Sequence, residues 1–298
     1  MVDFRFHITT LVAIFLALGV GIFIGSTIVG DDALLNEQKA ITDRLEQDFI
    51  LLREQNRLSQ KEILAFKNSN DNYQQFANAV LPLLVKNKLL GLNIAFIVTN
   101  NNVATDSLKK SFELSGANLV SITRIDSSFN FTDQNMKTFL INKLDLSKVR
   151  TSADFAAKIS LKVAEGVLNG FDPLILKTLE EVNYATTELF KNVKPDIAII
   201  FGGSQGPKEN TVSVIDLPMI NYFLKQGLEV VGTEPSQVTF SYMGLYQSKK
   251  IITVDNVDSA IGQIALILAI NGSPGNYGIK TTADRLLPLL DYEVHCVN

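Results

Sequence analysis

The chain ends DYEVHCVN, where its only cysteine, Cys296, directly follows one of its two histidines, His295. Thiolate and imidazole are the ligand types that suit a soft ion such as copper(I), and Glu293 stands close by. Neighbouring residues in a regular strand face opposite ways, so His295 and Cys296 can share one ion only in an irregular tail. Otherwise the pair is an incidental feature of an exposed end. Beyond Met1, the methionines Met136, Met219 and Met243 are scattered, with no MxxM or HxxM cluster. With a single cysteine, no intramolecular disulfide can form.

A second candidate is FGGSQG, in which Gly202, Gly203, Ser204 and Gly206 follow a predicted strand. Backbone amides in such a turn can hold an anion or a nucleotide phosphate. The segment lacks the lysine of a phosphate-binding P-loop and the GxGxxG spacing, and Pro207 and KEN intervene before any helix. Glycines after a strand also serve simple turns that need positive φ. Other polar groups at predicted strand ends are Thr99, Asn100 and Asn101, then Thr233 and Glu234, then Asp255 and Asn256. There is no HExxH, no GxSxG and no Cys–His pair placed for nucleophilic work, so the chain reads as a non-enzyme.

These groups depend on elements that the sequence pattern marks out. Strands are predicted at Ile94–Thr99, Asn118–Arg124, Asp196–Phe201, Glu229–Thr233 and Lys250–Val254. Helices are predicted at Val103–Leu114, Ser152–Leu168, Pro173–Glu181, Ser213–Gln226 and Ser259–Ile270. Continuous apolar runs such as DIAII suit strands buried on both faces of a parallel sheet. The alternation predicts an α/β domain, doubly wound in the Rossmann or flavodoxin manner, over residues 89–298. Ligands of such sheets sit at the carboxyl ends of the strands.

The amino-terminal part is of another kind. Residues 8–30 carry no charge, and 23 helical residues span about 34 Å, enough for a bilayer core. Small residues do not stand at −3 and −1 of an obvious cleavage site, so the run reads as a retained anchor behind a short tail, residues 1–7. Ala13, Ala17, Gly21 and Gly25 recur every fourth residue and form one small-residue ridge suited to helix–helix approach. Residues 31–80 follow without Gly or Pro and read as a coiled-coil stalk. With Leu35 at heptad position a, the seam runs through Leu45, Phe49, Leu52, Asn56, Ile63 and Phe66, broken by polar residues. Asn56 at an a position would set register and strand number. A long helix packed on its own domain is the alternative. A coil over residues 31–75 would be roughly 65 Å long. Ridge and seam both point to a parallel homodimer or higher oligomer. Lys and Arg near the anchor do not by themselves orient it.

A net charge of −4 argues against nucleic acid as a partner. Three stretches in order carry a family resemblance: FRFHITTLVAIFLALGVGIFIGS running into the coil, IITVDNVDSAIGQIALILAI, and GNYGIKTTADRLLP. Together they resemble the MctB family of copper transport proteins over nearly the whole chain. The resemblance implies copper as cargo, a part in copper efflux, a cytoplasmic amino terminus and an extracytoplasmic domain. One apolar helix, with no lipid-acceptor cysteine after it, points to single-pass residence in the cell membrane. From the residues alone, two further readings stand beside copper handling. One is a cell-envelope or division scaffold whose coil and head bind a protein partner. The other is a membrane-tethered nucleotide or anion sensor resting on FGGSQG.

Overall fold

The computed structural model describes residues 4–146, 148–169, 172–207 and 211–289. The chain divides into two compact units, Met1–Asp71 and Asn72–Asn298. Helix α1 (Phe4–Val85) makes up the described part of the first unit and enters the second. Arg5–Thr27 is long and apolar enough to cross a membrane. From Asp31 to Leu81 nothing interrupts the helix, because every residue keeps its N–H and none is a glycine.

The sequence places the end of the stalk at residue 80, whereas the helix continues through Pro82 to Val85. A proline there deprives the carbonyl of Asn78 of its helical donor. Ala77, Leu81 and Val85 are buried in the second unit, and that burial carries the helix past the proline.

The second unit is built on a seven-stranded sheet. Its strands are β1 (Asn93–Val98), β2 (Asn118–Ile125), β3 (Ala185–Leu189), β4 (Ile197–Phe201), β5 (Glu229–Thr233), β6 (Ile252–Val254) and β7 (Asn276–Tyr277). Their spatial order is β3-β2-β1-β4-β5-β6-β7. All pairings are parallel except β2 with β3, which is antiparallel. The chain steps outward from β1 to β3, returns to lay β4 beside β1, and steps outward again the other way.

Alternation along β1 feeds two cores. Ala95 and Ile97 face one, Ile94, Phe96 and Val98 the other. The first core is closed by α3 (Gln134–Lys143), α4 (Ser152–Leu168), α5 (Pro173–Glu181), α6 (Asp216–Lys225) and α7 (Met243–Gln247). The second is closed by α2 (Asp106–Leu114), α8 (Ala260–Ile270) and the end of α1. Local chemistry fixes the helix starts: the Asp133, Thr151, Asp172 and Ser259 side chains each accept first-turn N–H groups.

Several boundaries differ from the sequence reading for identifiable reasons. Strand β6 starts at Ile252 instead of Lys250, because Lys250 has φ +58, outside the strand region. Helix α2 starts at Asp106 instead of Val103, whose side chain is buried before the helix begins. β3, α3, α7 and β7 were not anticipated.

Candidate functional site

Polar groups gather where the sheet's strand succession reverses, at the carboxyl ends of β1, β4, β5 and β6. Thr99 directly follows β1, and its one hydroxyl proton is shared between the Phe201 carbonyl at 3.1 Å and Asp216 Oδ2 at 3.0 Å. Asp216, the first residue of α6, is fully buried. The same Oδ2 accepts the Tyr246 hydroxyl, while Oδ1 has no hydrogen-bond partner among the described residues. Burial pushes the Asp216 carboxyl up to about 6, against the lowering effect of the Tyr246 and Thr99 hydroxyls. Burial, followed by the Asp216 charge, holds the Tyr246 phenol well above its ordinary range.

Gly202 lies directly over this trio. A Cβ on it would stand 2.0 Å from the Tyr246 hydroxyl oxygen and 2.9 Å from Asp216 Oδ2. The FGGSQG glycines therefore admit buried polar groups beneath the loop. The Gly202 N–H donates to the Thr233 carbonyl at 2.8 Å, and the Ser204 N–H to the Phe240 carbonyl at 3.0 Å. The Ser204 hydroxyl donates to the Gly206 carbonyl at 3.3 Å. Two of the amides that the sequence offers to an anion are thus spent inside the fold. Gly203, at φ +81, has Glu234 Oε2 only 3.1 Å from its Cβ position, so a negative charge already stands behind the loop.

Glu234 is fully buried and satisfied from three sides. Its Oε1 accepts Ser241 Oγ at 2.6 Å and Lys280 Nζ at 2.5 Å, and its Oε2 accepts the Tyr242 N–H at 2.9 Å. Asp255 receives the N–H groups of Ile279 at 2.7 Å and Lys280 at 3.1 Å. Gly278, at φ +141, leaves room for that carboxylate, because a Cβ would lie 2.1 Å from Asp255 Oδ1. The VDN and YGIK stretches are thereby locked together. Gln263 of GQIAL ties α8 to α2 through Ser111 at 2.5 Å and Ser107 at 3.1 Å. Asn100 donates to the Gly202 carbonyl at 3.2 Å, and Asn101 to Asp126 at 3.4 Å.

Beside these groups opens a cleft of about 330 Å³, walled by the loops after β1, β4, β5 and β6 and by the first turn of α2. Sequence reasoning reached its neighbourhood but missed Ser107, Gln237 and Asp258, since only the strand order shows which loops converge. It also missed Asp216 and Tyr246. A lone carboxylate within the apolar VSVIDLPMI was the available signal. His295 and Cys296 lie outside the described residues. Among the described residues, no three His, Cys, Asp or Glu side chains come together in a way that could hold a metal ion.

The seam residues Leu35, Leu45, Phe49, Leu52, Ile63 and Phe66 are 53–76% exposed in the single chain, and Asn56 is exposed with them. Ala13 and Ala17 are exposed as well, and Cβ atoms built on Gly21 and Gly25 meet no atom within 4 Å.

Comparison with curated proteins returns no match. The family described as "Copper transport outer membrane protein, MctB" matches residues 1–288, from the apolar helix through the Asp255-locked segment to Pro288. The chain belongs to the MctB family of copper transport-related membrane proteins.

Proposed function

We propose that the protein is a non-enzymatic, single-pass membrane protein that acts in copper efflux as a self-associated assembly. Its amino terminus would be cytoplasmic and its α/β domain extracytoplasmic. The family match over residues 1–288 carries this reading. Self-association is supported by the apolar seam from Leu35 to Phe66, which is exposed among the described residues and keeps heptad spacing. The open space at Gly21 and Gly25 also supports it, since their smallness answers no contact among the described residues. The strand succession, reversing between β1 and β4, favours a doubly wound, Rossmann-like head with an antiparallel edge strand. Copper is cargo here, with His295 and Cys296 as the soft ligands the sequence offers.

The test is cell-associated copper, by elemental analysis, in a deletion strain and its complemented control under mild copper load. Accumulation that complementation reverses is the expected result. Equal copper in both strains refutes an efflux role. A second reading, an envelope scaffold, draws on the same exposed seam. It predicts an envelope or division defect in the deletion strain without any change in copper.

A further inference from the structure

We propose that the cleft at the carboxyl ends of β1, β4, β5 and β6 docks an extended peptide segment of a partner protein. That segment is uncharged or basic and carries a small aliphatic side chain. The inference is independent of the copper reading and rests on the cleft alone.

The cleft's floor is aliphatic: Val103, Leu108 and Val257 are buried, and Pro235 completes it. Among the described residues, no aromatic ring lines it. Its volume, about 330 Å³, lies at the small end of ligand sites, enough for a side chain and its flanking peptide groups.

The rim decides the chemistry. Asn102 and Gln237 contribute side-chain amides, Ser107 a hydroxyl and Asp258 a carboxylate. Gln263 donates into Ser107 Oγ at 3.1 Å, which leaves the serine's own proton for an acceptor in the cleft. Each amide offers a donor and an acceptor, the same complement that a peptide group presents. A phosphate or carboxylate ligand only accepts, and among the described residues it would meet Asp258 with no Lys, Arg or His in the lining. Two described cations that bond to lining residues are already engaged. Lys280 is held by Glu234 and by the Pro235 carbonyl at 3.1 Å, and Arg124 donates to Thr105 Oγ1 at 2.7 Å. A basic residue on the ligand, by contrast, finds Asp258.

The walls are fixed before any ligand arrives. Gln205 Nε2 donates to the Gln237 carbonyl at 2.8 Å, and Gln205 Oε1 accepts from Thr239 at 3.1 Å. Asp258 holds the Ser236 N–H at 2.8 Å and its hydroxyl at 2.5 Å. Such bracing lowers the ordering cost of binding. Gln205 is the one long polar side chain of FGGSQG, so that segment serves the cleft by bracing a wall.

The experiment screens a random heptapeptide phage library against the full chain in detergent micelles, in parallel with Ala104→Phe. Ala104 is exposed, lines the cleft and precedes α2, so a ring there blocks the opening without entering the core. Gln237→Trp on the opposite rim serves as a second blocking variant, and both are checked for unchanged thermal unfolding. The expected result is enrichment of peptides with an aliphatic residue and few acidic ones. Synthetic copies should bind about tenfold or more weakly to either variant. No enrichment over the blocked variants, or enrichment of acidic peptides, overturns the proposal. So does saturable binding of ATP or an N-acetylglucosamine oligomer that the same variants abolish.

Discussion

Asp216 offers the sharpest test of how the strand-end polar groups are built. Replacing it by asparagine keeps an acceptor oxygen for the Thr99 and Tyr246 hydroxyls and removes the charge. The folded carboxyl, at about 6, lies above its ordinary 3.8 because burial disfavours the ion. As pH rises, the unfolded chain therefore releases this proton first. Stability is lost progressively between about pH 4 and 6, and the full penalty applies above that window. The gap corresponds to about 3 kcal/mol. Asp216 is fully buried, so solvent screening does not discount it.

For a domain of this size that energy is roughly 6–12 °C in Tm. The assay is thermal unfolding of wild type and Asp216→Asn from pH 4 to pH 8, taking the difference at each pH so that other titrating groups cancel. Relative to the variant, the wild type should lose about this much between pH 4 and pH 6 and then run parallel to it. A difference that stays constant across the range, or that grows in favour of the wild type, refutes a buried carboxyl that ionises at a cost.

Gly202→Ala should destabilise the head by about 1–3 kcal/mol or more, because the new methyl meets the Tyr246 hydroxyl and Asp216 within a filled core. A denaturant midpoint equal to wild type would show that the trio yields without cost. Leu45→Lys with Leu52→Lys should reduce the chain to a monomer in detergent, read by sedimentation. An assembly that survives both changes sinks the heptad assignment of Leu45 and Leu52. Asp255→Ala removes the acceptor for two N–H groups and should cost about 1–3 kcal/mol. The Ile279 and Lys280 amides should then exchange hydrogen faster, and unchanged exchange would mean that another group holds that segment.

Much of the head was legible where a residue's type and its neighbours agreed. Helix α4 matches the sequence reading at both ends, with Thr151 capping its start, and α5 does so with Pro173 in the first turn. Strand β5 matches too, since its buried VVGT lies between turn residues. The misses share a cause. β3 is ATTEL, a short edge strand, largely exposed, with no apolar run to betray it. It is fixed by pairing with β2, and no local pattern encodes that. α7 has only five residues, and α3 carries a single buried side chain, Leu140. At the site, Thr99, Glu234 and Asp255 were visible as strand-end polar groups, but their partners Asp216 and Lys280 are remote in sequence. Only the folded order of strands joins them.

That joining bears on what the site does. Both oxygens of Glu234 and both of Asp255 are occupied by donors from the chain itself. Asp216 keeps one oxygen unpartnered, but it is sealed beneath Gly202 and away from the 330 Å³ cleft. The strongest charges at this edge of the sheet therefore point inward. They fix the loops, close the carboxy-terminal segment over β6 and leave the cleft's rim to amides, a hydroxyl and Asp258. A rim of that kind can recognise a ligand through matched hydrogen bonds.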